Sequence, residues 1–147
     1  MQHTFGDSGF GFQANATFVT TNNPYDKFDV TTSGNAVTGL TNSWNFVGFY
    51  DKHGFQFRVA VNHQNEVLSN FGQQQNNSAF GSEPTYTDAS TQWDMSTSFD
   101  FNEHFSVYLT GQNLNNAVFS THGRFSEQVL NVVDTGRRFT AGVHLKL

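Results

Sequence analysis

The carboxyl-terminal stretch of the chain alternates strictly between apolar and polar or small residues. One set is Phe139, Ala141, Val143, Leu145 and Leu147, and the other is Arg138, Thr140, Gly142, His144 and Lys146. A period of two is that of a β-strand with one apolar face and one wet face. About ten residues also suffice for a tilted strand to cross a bilayer. The pattern therefore predicts a terminal strand that suits either a half-buried sheet or a membrane barrel.

Five earlier segments repeat this two-residue period, and none has the period of a helix. They are residues 9–19, 43–50, 55–62, 89–101 and 105–110. The second segment is the least regular, because Val47 and Phe49 stand on its polar side. The sequence therefore predicts an all-β fold, an antiparallel up-and-down meander of about six strands.

The composition excludes several classes of protein. The 147 residues fit one domain, and the absence of cysteine excludes disulfides and thiolate metal sites. A net charge of -5 without a Lys/Arg cluster argues against a nucleic-acid partner. No apolar run approaches the roughly 18 residues of a membrane helix. A helical membrane protein is thereby excluded, whereas a membrane barrel is compatible with low hydropathy because its strands alternate.

The connections between the predicted strands differ in length in a regular way. Asp51–Gly54 and Asn102–His104 are of tight-hairpin size. The links Thr20–Asn42, Glu66–Asp88 and Gln112–Gly136 each run to about twenty residues, which is unusual for a compact soluble domain. Short turns at one end and long loops at the other are typical of outer-membrane barrels, with the turns periplasmic and the loops extracellular.

Aromatic residues on the apolar side fall at two levels along the strands. Those near the short turns are Phe10, Phe12, Tyr50, Phe55, Phe57, Phe99, Phe101 and Phe105. Those nearer the long loops are Phe18, Trp44, Phe46, Trp93 and Phe139. Smaller residues lie between the levels, namely Ala14, Ala16, Val59, Val61, Met95 and Val143. Two bands of this kind indicate the interfacial girdles of a membrane barrel, whereas a soluble sandwich has no cause to sort its rings.

Several stretches resemble, in order, the closing strands of TonB-dependent outer-membrane receptors. They are Tyr86-Thr87-Asp88-Ala89 leading to Gln92-Trp93-Asp94, Ser98 to Val107, Gly111-Gln112-Asn113-Leu114-Asn115, and Gly136 to Val143. Lys52-His53-Gly54-Phe55 with Arg58 is similar to the hairpin just before them. The resemblance extends over most of the chain.

The resemblance implies a fold and a function. Members of that family form a 22-stranded barrel filled by an N-terminal plug, and they import siderophores, vitamins or oligosaccharides with energy passed on by TonB. Residues 1–147 are then expected to be a partial C-terminal barrel segment, without plug domain, signal peptide, cofactor or catalysis. The expected location is the bacterial outer membrane. Expected partners are outer-membrane lipid, the remaining strands and plug of the parent receptor, the barrel-assembly machinery through the last strand, and TonB only through the absent plug.

The titratable residues suggest no site of their own. The six histidines are His3, His53, His63, His104, His122 and His144, and no two have the i, i+2 or i+4 spacing of paired metal ligands. Asp94 and Asp100 share one face of a strand, but lie roughly 20 Å apart at 3.3 Å per residue. The sequence therefore predicts neither a metal site nor a carboxylate pair for acid–base chemistry.

Ligand contacts are expected in the long loops, where aromatic rings stand among many Asn and Gln residues. The candidates are Tyr25, Phe28, Phe71, Phe80, Tyr86, Phe119 and Phe125. This mixture suits a sugar or an aromatic chelate, although the same rings would also serve to pack loop on loop. It also leaves open a second function, a soluble carbohydrate-binding β-sandwich.

The strand count predicts that the chain alone cannot close into a barrel. Membrane barrels need at least about eight strands, so six should form an open, curved sheet of three hairpins. The two edges of that sheet, Phe10–Phe18 and Phe139–Leu147, are expected to have unpaired backbone.

Overall fold

The computed structural model describes residues 1–28, 37–72 and 83–146. These residues form eleven β-strands and one turn of 3-10 helix at Gly6–Ser8. The strands are β1 (Gln2–Thr4), β2 (Phe10–Thr17), β3 (Ser43–Lys52), β4 (Phe55–Gln64), β5 (Val67–Asn70), β6 (Thr85–Thr87), β7 (Ser90–Asn102), β8 (Phe105–Gln112), β9 (Phe119–His122), β10 (Val129–Val133) and β11 (Arg138–Leu145). In these three ranges no helix has the length and apolar character needed to cross a membrane.

The larger sheet has seven strands in the order β1-β2-β3-β4-β7-β8-β11, and every neighbouring pair is antiparallel. All six predicted strands are present in it, in the predicted up-and-down order. Within the described residues β11 pairs with β8 alone, so the sheet is open and its last edge is free, as predicted. Leu147 of the predicted last strand lies outside the described residues.

The register of the larger sheet keeps the predicted apolar residues on one face. Phe46 stands opposite Val61 across β3 and β4, and Leu109 stands opposite Ala141 across β8 and β11. A slip of one residue in any pair would move a whole strand's apolar set to the other face. The alternation in the sequence therefore specifies the pairing as well as the strands.

The tight turn between β3 and β4 depends on left-handed backbone at two successive residues. His53 has φ 56° and Gly54 has φ 76°, which matches the right-handed twist of the flanking strands. A Cβ at Gly54 would also lie 2.9 Å from the carbonyl oxygen of Asp100. Glycine is required there both by backbone conformation and by the close approach of the next hairpin.

Each short turn is hydrogen-bonded to the next chain segment in the larger sheet, which lies beside its own hairpin. The carbonyl of Gly9 accepts a hydrogen bond from Asp51 N at 2.8 Å, and that of Gly54 accepts one from Asp100 N at 2.8 Å. The carbonyl of His104 accepts one from Lys146 N at 2.9 Å. The three short turns therefore lie at one end of the sheet and are linked in a row.

The first strand was not predicted, and it corrects the expected free edge at β2. β1 pairs with β2 from Gln2 opposite Gln13 to Thr4 opposite Gly11. Three residues are too few for a periodic pattern to show, which is why the sequence did not reveal the strand. The unpaired part of this edge is therefore shorter than the predicted Phe10–Phe18, because β1 covers the half of β2 that is nearer the short turns.

A second correction concerns two of the long links, which contain a smaller sheet in the order β10-β9-β6-β5. β5 begins just after β4 ends, and β6 ends just before β7 begins, so this sheet continues the hairpins beyond the larger one. Its strands have only three to five residues. Register shifts at Leu68/Asn70 and Val129/Asn131 also interrupt the alternation, which explains why the sequence indicated loops.

Candidate functional site

The apolar face of the larger sheet is largely uncovered. Among the described residues the buried hydrophobic side chains are Val47 and Val61. Val61 lies on the apolar face, but elsewhere on that face Phe139 is 60% exposed, Val143 59% and Leu145 70%. Exposed large side chains elsewhere on this face are Phe10, Trp44, Phe46, Phe55, Phe57, Trp93, Phe99, Phe101 and Leu109. A soluble sheet buries such a face against a second layer, so this uncovered surface would be stabilised by apolar surroundings.

The rings near the short turns form an almost continuous row across the sheet. Ring centroids of Phe10 and Tyr50 are 4.6 Å apart, and those of Tyr50 and Phe55 are 6.0 Å apart. The row resumes on β7 and β8, where Phe101 lies 4.8 Å from Phe99 and 5.1 Å from Phe105. Six of the eight residues of the lower band predicted from the sequence therefore lie in two sets of ring contacts, one across β2 to β4 and one across β7 and β8.

The upper band is marked by Trp44 and Trp93, which are 44% and 46% exposed. The Trp44 ring stacks on His63, with centroids 5.3 Å apart. Trp44 and Tyr50 lie on one face of β3 and are six residues apart, a separation of roughly 20 Å along a strand. That separation fits the apolar band of an outer-membrane barrel, which is about 25 Å tall.

The Gly111–Asn115 stretch, one of those on which the predicted resemblance rests, anchors the long-loop end of the sheet. Asn113 is 4% exposed, and its side-chain oxygen accepts a hydrogen bond from Ala117 N at 2.6 Å. Its side-chain nitrogen donates to the carbonyl oxygens of Ala117 at 3.0 Å and Gly136 at 3.1 Å. Its backbone N–H donates to Asp94 at 2.9 Å. Asp94 therefore helps to hold the Asn113 backbone in place.

The predicted loop aromatics pack mainly on one another. Tyr25 and Phe71 have ring centroids 5.6 Å apart, and the Tyr25 hydroxyl accepts a hydrogen bond from Gly72 N at 2.8 Å. Phe28 and Phe125 are 6.1 Å apart. These contacts correspond to the loop-on-loop alternative.

A lysine bridges the second of these ring pairs. The Lys27 ammonium lies 5.4 Å from the centroid of Phe28 and 5.6 Å from that of Phe125. Both distances are within the range of a cation–π interaction. Phe80, also a predicted ligand contact, lies outside the described residues.

Phe119 lies beside a cavity of about 330 Å³ at the long-loop end of the sheet. Its lining combines rings and amides, including Trp44, His63, Asn45, Asn62 and Gln92. His63 is held there by Thr91 Oγ1 at 2.7 Å and Asn65 Oδ1 at 3.0 Å. Of the predicted contacts, Phe119 is therefore the one that lines an open polar cavity.

Tyr86 belongs to a different group, which contains Glu66, Asp88 and His122. The Tyr86 ring stacks on His122 with centroids 5.2 Å apart and an interplanar angle of 9°. His122 Nε2 lies 3.1 Å from Glu66 Oε2 and 3.4 Å from Asp88 Oδ1. The three donor atoms lie within 4.8 Å of one another, the spacing of ligands that share a metal ion.

Strand pairing explains how residues so far apart in sequence meet. β5 pairs with β6 with Val67 opposite Thr87, so the residues just outside this pair, Glu66 and Asp88, come side by side. β6 pairs with β9 with Tyr86 opposite His122, and Asp88 N donates to the Ser120 carbonyl at 3.0 Å. Histidine spacing could not reveal this group, because it has one histidine and its carboxylates lie beside other strands, β5 and β6.

The surroundings of His122 favour its protonated form. Burial lowers its pKa, but hydrogen bonds with Glu66 and the Gly123 carbonyl and the charges of Glu66 and Asp88 outweigh burial, so the pKa of His122 is raised. The pKa of Tyr86 is also raised, first by burial and then by the charges of Tyr25 and Glu66. The smaller sheet lies beyond the apolar band, so both groups belong to the loop region.

The group does not have the order of contacts of a serine hydrolase. The Ser120 hydroxyl donates to Asp88 Oδ2, whereas a nucleophilic serine would have to contact the imidazole. His122 contacts the two carboxylates instead. The arrangement is therefore suited to holding a cation or an imidazolium, and it does not activate the Ser120 hydroxyl.

Comparison of the chain with protein-family models, curated proteins and solved structures finds no match. The resemblance to TonB-dependent receptors accordingly stays a prediction. The function has to be inferred from the residues and their geometry.

Proposed function

We propose that this chain is the C-terminal barrel part of a TonB-dependent outer-membrane receptor that imports a siderophore, vitamin or oligosaccharide. It would supply barrel wall and extracellular loops without catalysing a reaction. Energy from TonB would reach the receptor through its plug.

The observation that carries this proposal is the uncovered apolar face. Twelve large apolar side chains on it, Phe10 to Leu145, are between 36% and 70% exposed. Full burial of one such side chain stabilises a protein by about 1.5–3 kcal/mol. Leaving twelve of them about half in water therefore forfeits on the order of 10 kcal/mol, which equals the whole stability of a typical domain. Lipid hydrocarbon removes this penalty without a second protein layer.

The arrangement of rings and turns supports the same proposal. The two bands of rings on the apolar face lie at the separation expected for the two membrane interfaces. The short turns lie at one end and the smaller sheet at the other, as in barrels with short periplasmic turns and long extracellular loops. The opposite face presents polar side chains such as Arg58, Ser96 and Thr110, which suit a wet lumen.

The free edge at β11 fits a part of a larger barrel. In hydrocarbon each unpaired N–H or C=O group costs several kcal/mol, so an open edge cannot face lipid. The remaining strands of a receptor would pair with β11 and with the uncovered part of β2. The isolated chain is therefore expected to need those strands, further copies of itself, or detergent.

The alternative, a soluble carbohydrate-binding β-sandwich, has less support. It would need a second layer over the apolar face, and the rings on that face remain exposed. The cavity beside Phe119 has the mixture of rings and amides that a sugar requires, but receptor loops offer the same mixture.

The two tryptophans of the chain allow a direct test, because Trp44 and Trp93 both lie on the apolar face. The full chain is refolded in micelles of an alkyl maltoside whose chains carry bromine, which quenches indole fluorescence on contact. If the apolar face meets hydrocarbon, both indoles should be strongly quenched by the brominated detergent and weakly by aqueous iodide.

The single-tryptophan variants Trp44→Phe and Trp93→Phe report on each strand separately. Each is expected to keep the ratio of detergent to iodide quenching seen in the parent chain. A chain that stays monomeric and folded in plain buffer, with neither indole quenched by the brominated detergent, would favour the sandwich and overturn the proposal.

A further inference from the structure

We propose that Glu66, Asp88 and His122 form a binding site for one zinc ion at the base of the smaller sheet. Glu66 and Asp88 flank the pair of β5 and β6, His122 is the last residue of β9, and each residue offers one ligand atom. Imidazole nitrogen and carboxylate oxygen are ligands that zinc prefers. This site is independent of whether the apolar face meets lipid.

Two of the three distances between the donor atoms match those of a zinc site. Ligand atoms about 2.0–2.1 Å from a tetrahedral ion lie roughly 3.3 Å from one another. His122 Nε2 lies 3.1 Å from the Glu66 oxygen and 3.4 Å from the Asp88 oxygen. An ion can therefore be accommodated between these atoms with small side-chain movements.

The second nitrogen of His122 is placed as it is in zinc-binding histidines. Nδ1 lies 2.8 Å from the carbonyl oxygen of Gly123, which can only accept a hydrogen bond. Nδ1 must therefore carry the proton, and in the neutral ring the lone pair is on Nε2, which faces the two carboxylates. Such a hydrogen bond from the non-ligating nitrogen to a carbonyl fixes the tautomer and the ring orientation.

Asp88 and His122 are further held by groups that do not themselves reach the site. The Ser120 hydroxyl donates to Asp88 Oδ2 and leaves Oδ1 to face His122. Stacking on Tyr86 fixes the plane of the imidazole. The donor atoms are thus oriented by their neighbours, which lowers the entropic cost of binding an ion.

Charge and exposure also suit a divalent cation. Two carboxylates and a neutral imidazole carry a net charge of about -2, which a divalent ion would neutralise. The His122 side chain is 7% exposed, whereas those of Glu66 and Asp88 are 52% and 38% exposed. The site is therefore closed by the protein on one side and open to solvent on the other. Three protein ligands would leave a fourth position for water or an external ligand.

The competing description is an imidazolium held by two carboxylates without any ion. Both descriptions use the same contacts, and they differ in whether zinc is taken up stoichiometrically. The test is isothermal titration calorimetry of the full chain, refolded in detergent micelles and freed of metal by chelation, with zinc chloride as the titrant.

The expected result is one zinc ion bound per chain, with affinity lost in the variants Glu66→Gln, Asp88→Asn and His122→Gln. Loss of a ligand should weaken binding by at least about 100-fold, and loss of the supporting hydroxyl in Ser120→Ala by about tenfold. Cobalt(II) bound to the parent chain should show the intense visible absorption of a four- or five-coordinate ion, and this absorption should vanish in His122→Gln.

The matched control is His104→Gln, which removes a histidine at the short-turn end of the larger sheet, where its Nδ1 lies 3.0 Å from the carbonyl oxygen of Lys146. It should bind zinc like the parent chain. Circular dichroism of the metal-free variants checks folding, and the exposed Glu66→Gln carries the test if His122→Gln does not fold. Absence of stoichiometric uptake by the parent chain, or an equal loss in His104→Gln and Glu66→Gln, would overturn the proposal.

Discussion

The assignment of one face to lipid predicts opposite outcomes for the same substitution at two adjacent residues. Ala141 lies near the middle of β11 on the apolar face and stands opposite Leu109. Thr140 lies next to it on the polar face and stands opposite Thr110. Both side chains are exposed, so neither change to Arg creates a clash or removes a buried contact.

Ala141→Arg places a guanidinium near the centre of the proposed apolar band. A charge at the midplane of a membrane barrel costs about 2–4 kcal/mol. At about 1.4 kcal/mol per tenfold change, the equilibrium constant for unfolding should rise by roughly 30- to 700-fold. Thr140→Arg would put the same group into a wet lumen, where surface substitutions usually change stability by no more than about 0.5 kcal/mol.

The assay is urea unfolding of the full chain in lipid–detergent bicelles, followed by tryptophan fluorescence. The midpoint should fall markedly for Ala141→Arg and stay close to the parent value for Thr140→Arg, at unchanged slope. Because both variants carry the same added charge on the same strand, equal losses for the two would show that the faces are wrongly assigned.

Three further predictions concern the loop anchor, a turn and the free edge. In urea unfolding, Asn113→Ala should lower the free energy of unfolding by about 1–3 kcal/mol more than Asn116→Ala does. Both residues have a φ of 55°, but of the two only Asn113 is buried and makes three side-chain hydrogen bonds to backbone. Equal losses would assign the effect to backbone strain alone. Gly54→Ala should lower the midpoint by more than Gly39→Ala, since a Cβ at Gly54 meets the Asp100 carbonyl at 2.9 Å whereas one at Gly39 meets nothing within 4 Å; no difference would mean that the turn shifts freely. Hydrogen exchange in micelles should find alternate amides of β11 protected by pairing with β8 and the others exchanging fast, and uniform protection would indicate that a further strand pairs there.

The long alternating strands could be predicted from the sequence, because the same alternation of residues defines both the apolar face of each strand and the register in which it pairs. Phe46, Val61 and Trp93 fall on one face only if three strands pair in the observed register, so the pattern determined the sheet. The short strands of the smaller sheet have no such redundancy. A three-residue strand such as β6 forms because neighbouring strands pair with it, and the local sequence does not indicate which strands those are.

The site residues also differ in whether a local sequence pattern or only their neighbours in space could reveal them. The Asn113 region was found in the sequence as a stretch similar to receptor strands, but its role as a loop anchor depends on contacts with Ala117 and Gly136. His122 was assessed by the spacing of histidines alone. The pairing of β5 with β6 and of β6 with β9 brings Glu66 and Asp88 beside it, and this pairing is visible only in the structure. Of the loop rings predicted as ligand contacts, six are described, and four of these six contact one another.

The odd number of strands in the larger sheet restricts what can complete it. Seven strands that alternate in direction give edges, β1 and β11, that run the same way. A closed antiparallel barrel then requires an odd number of further strands between these edges, so that the total is even. Two copies of this sheet satisfy the same parity only by joining like edges, β11 to β11 and β1 to β1, about a two-fold axis. A head-to-tail ring of copies would force parallel neighbours at every junction, so an antiparallel partner at β11 would exclude such a ring.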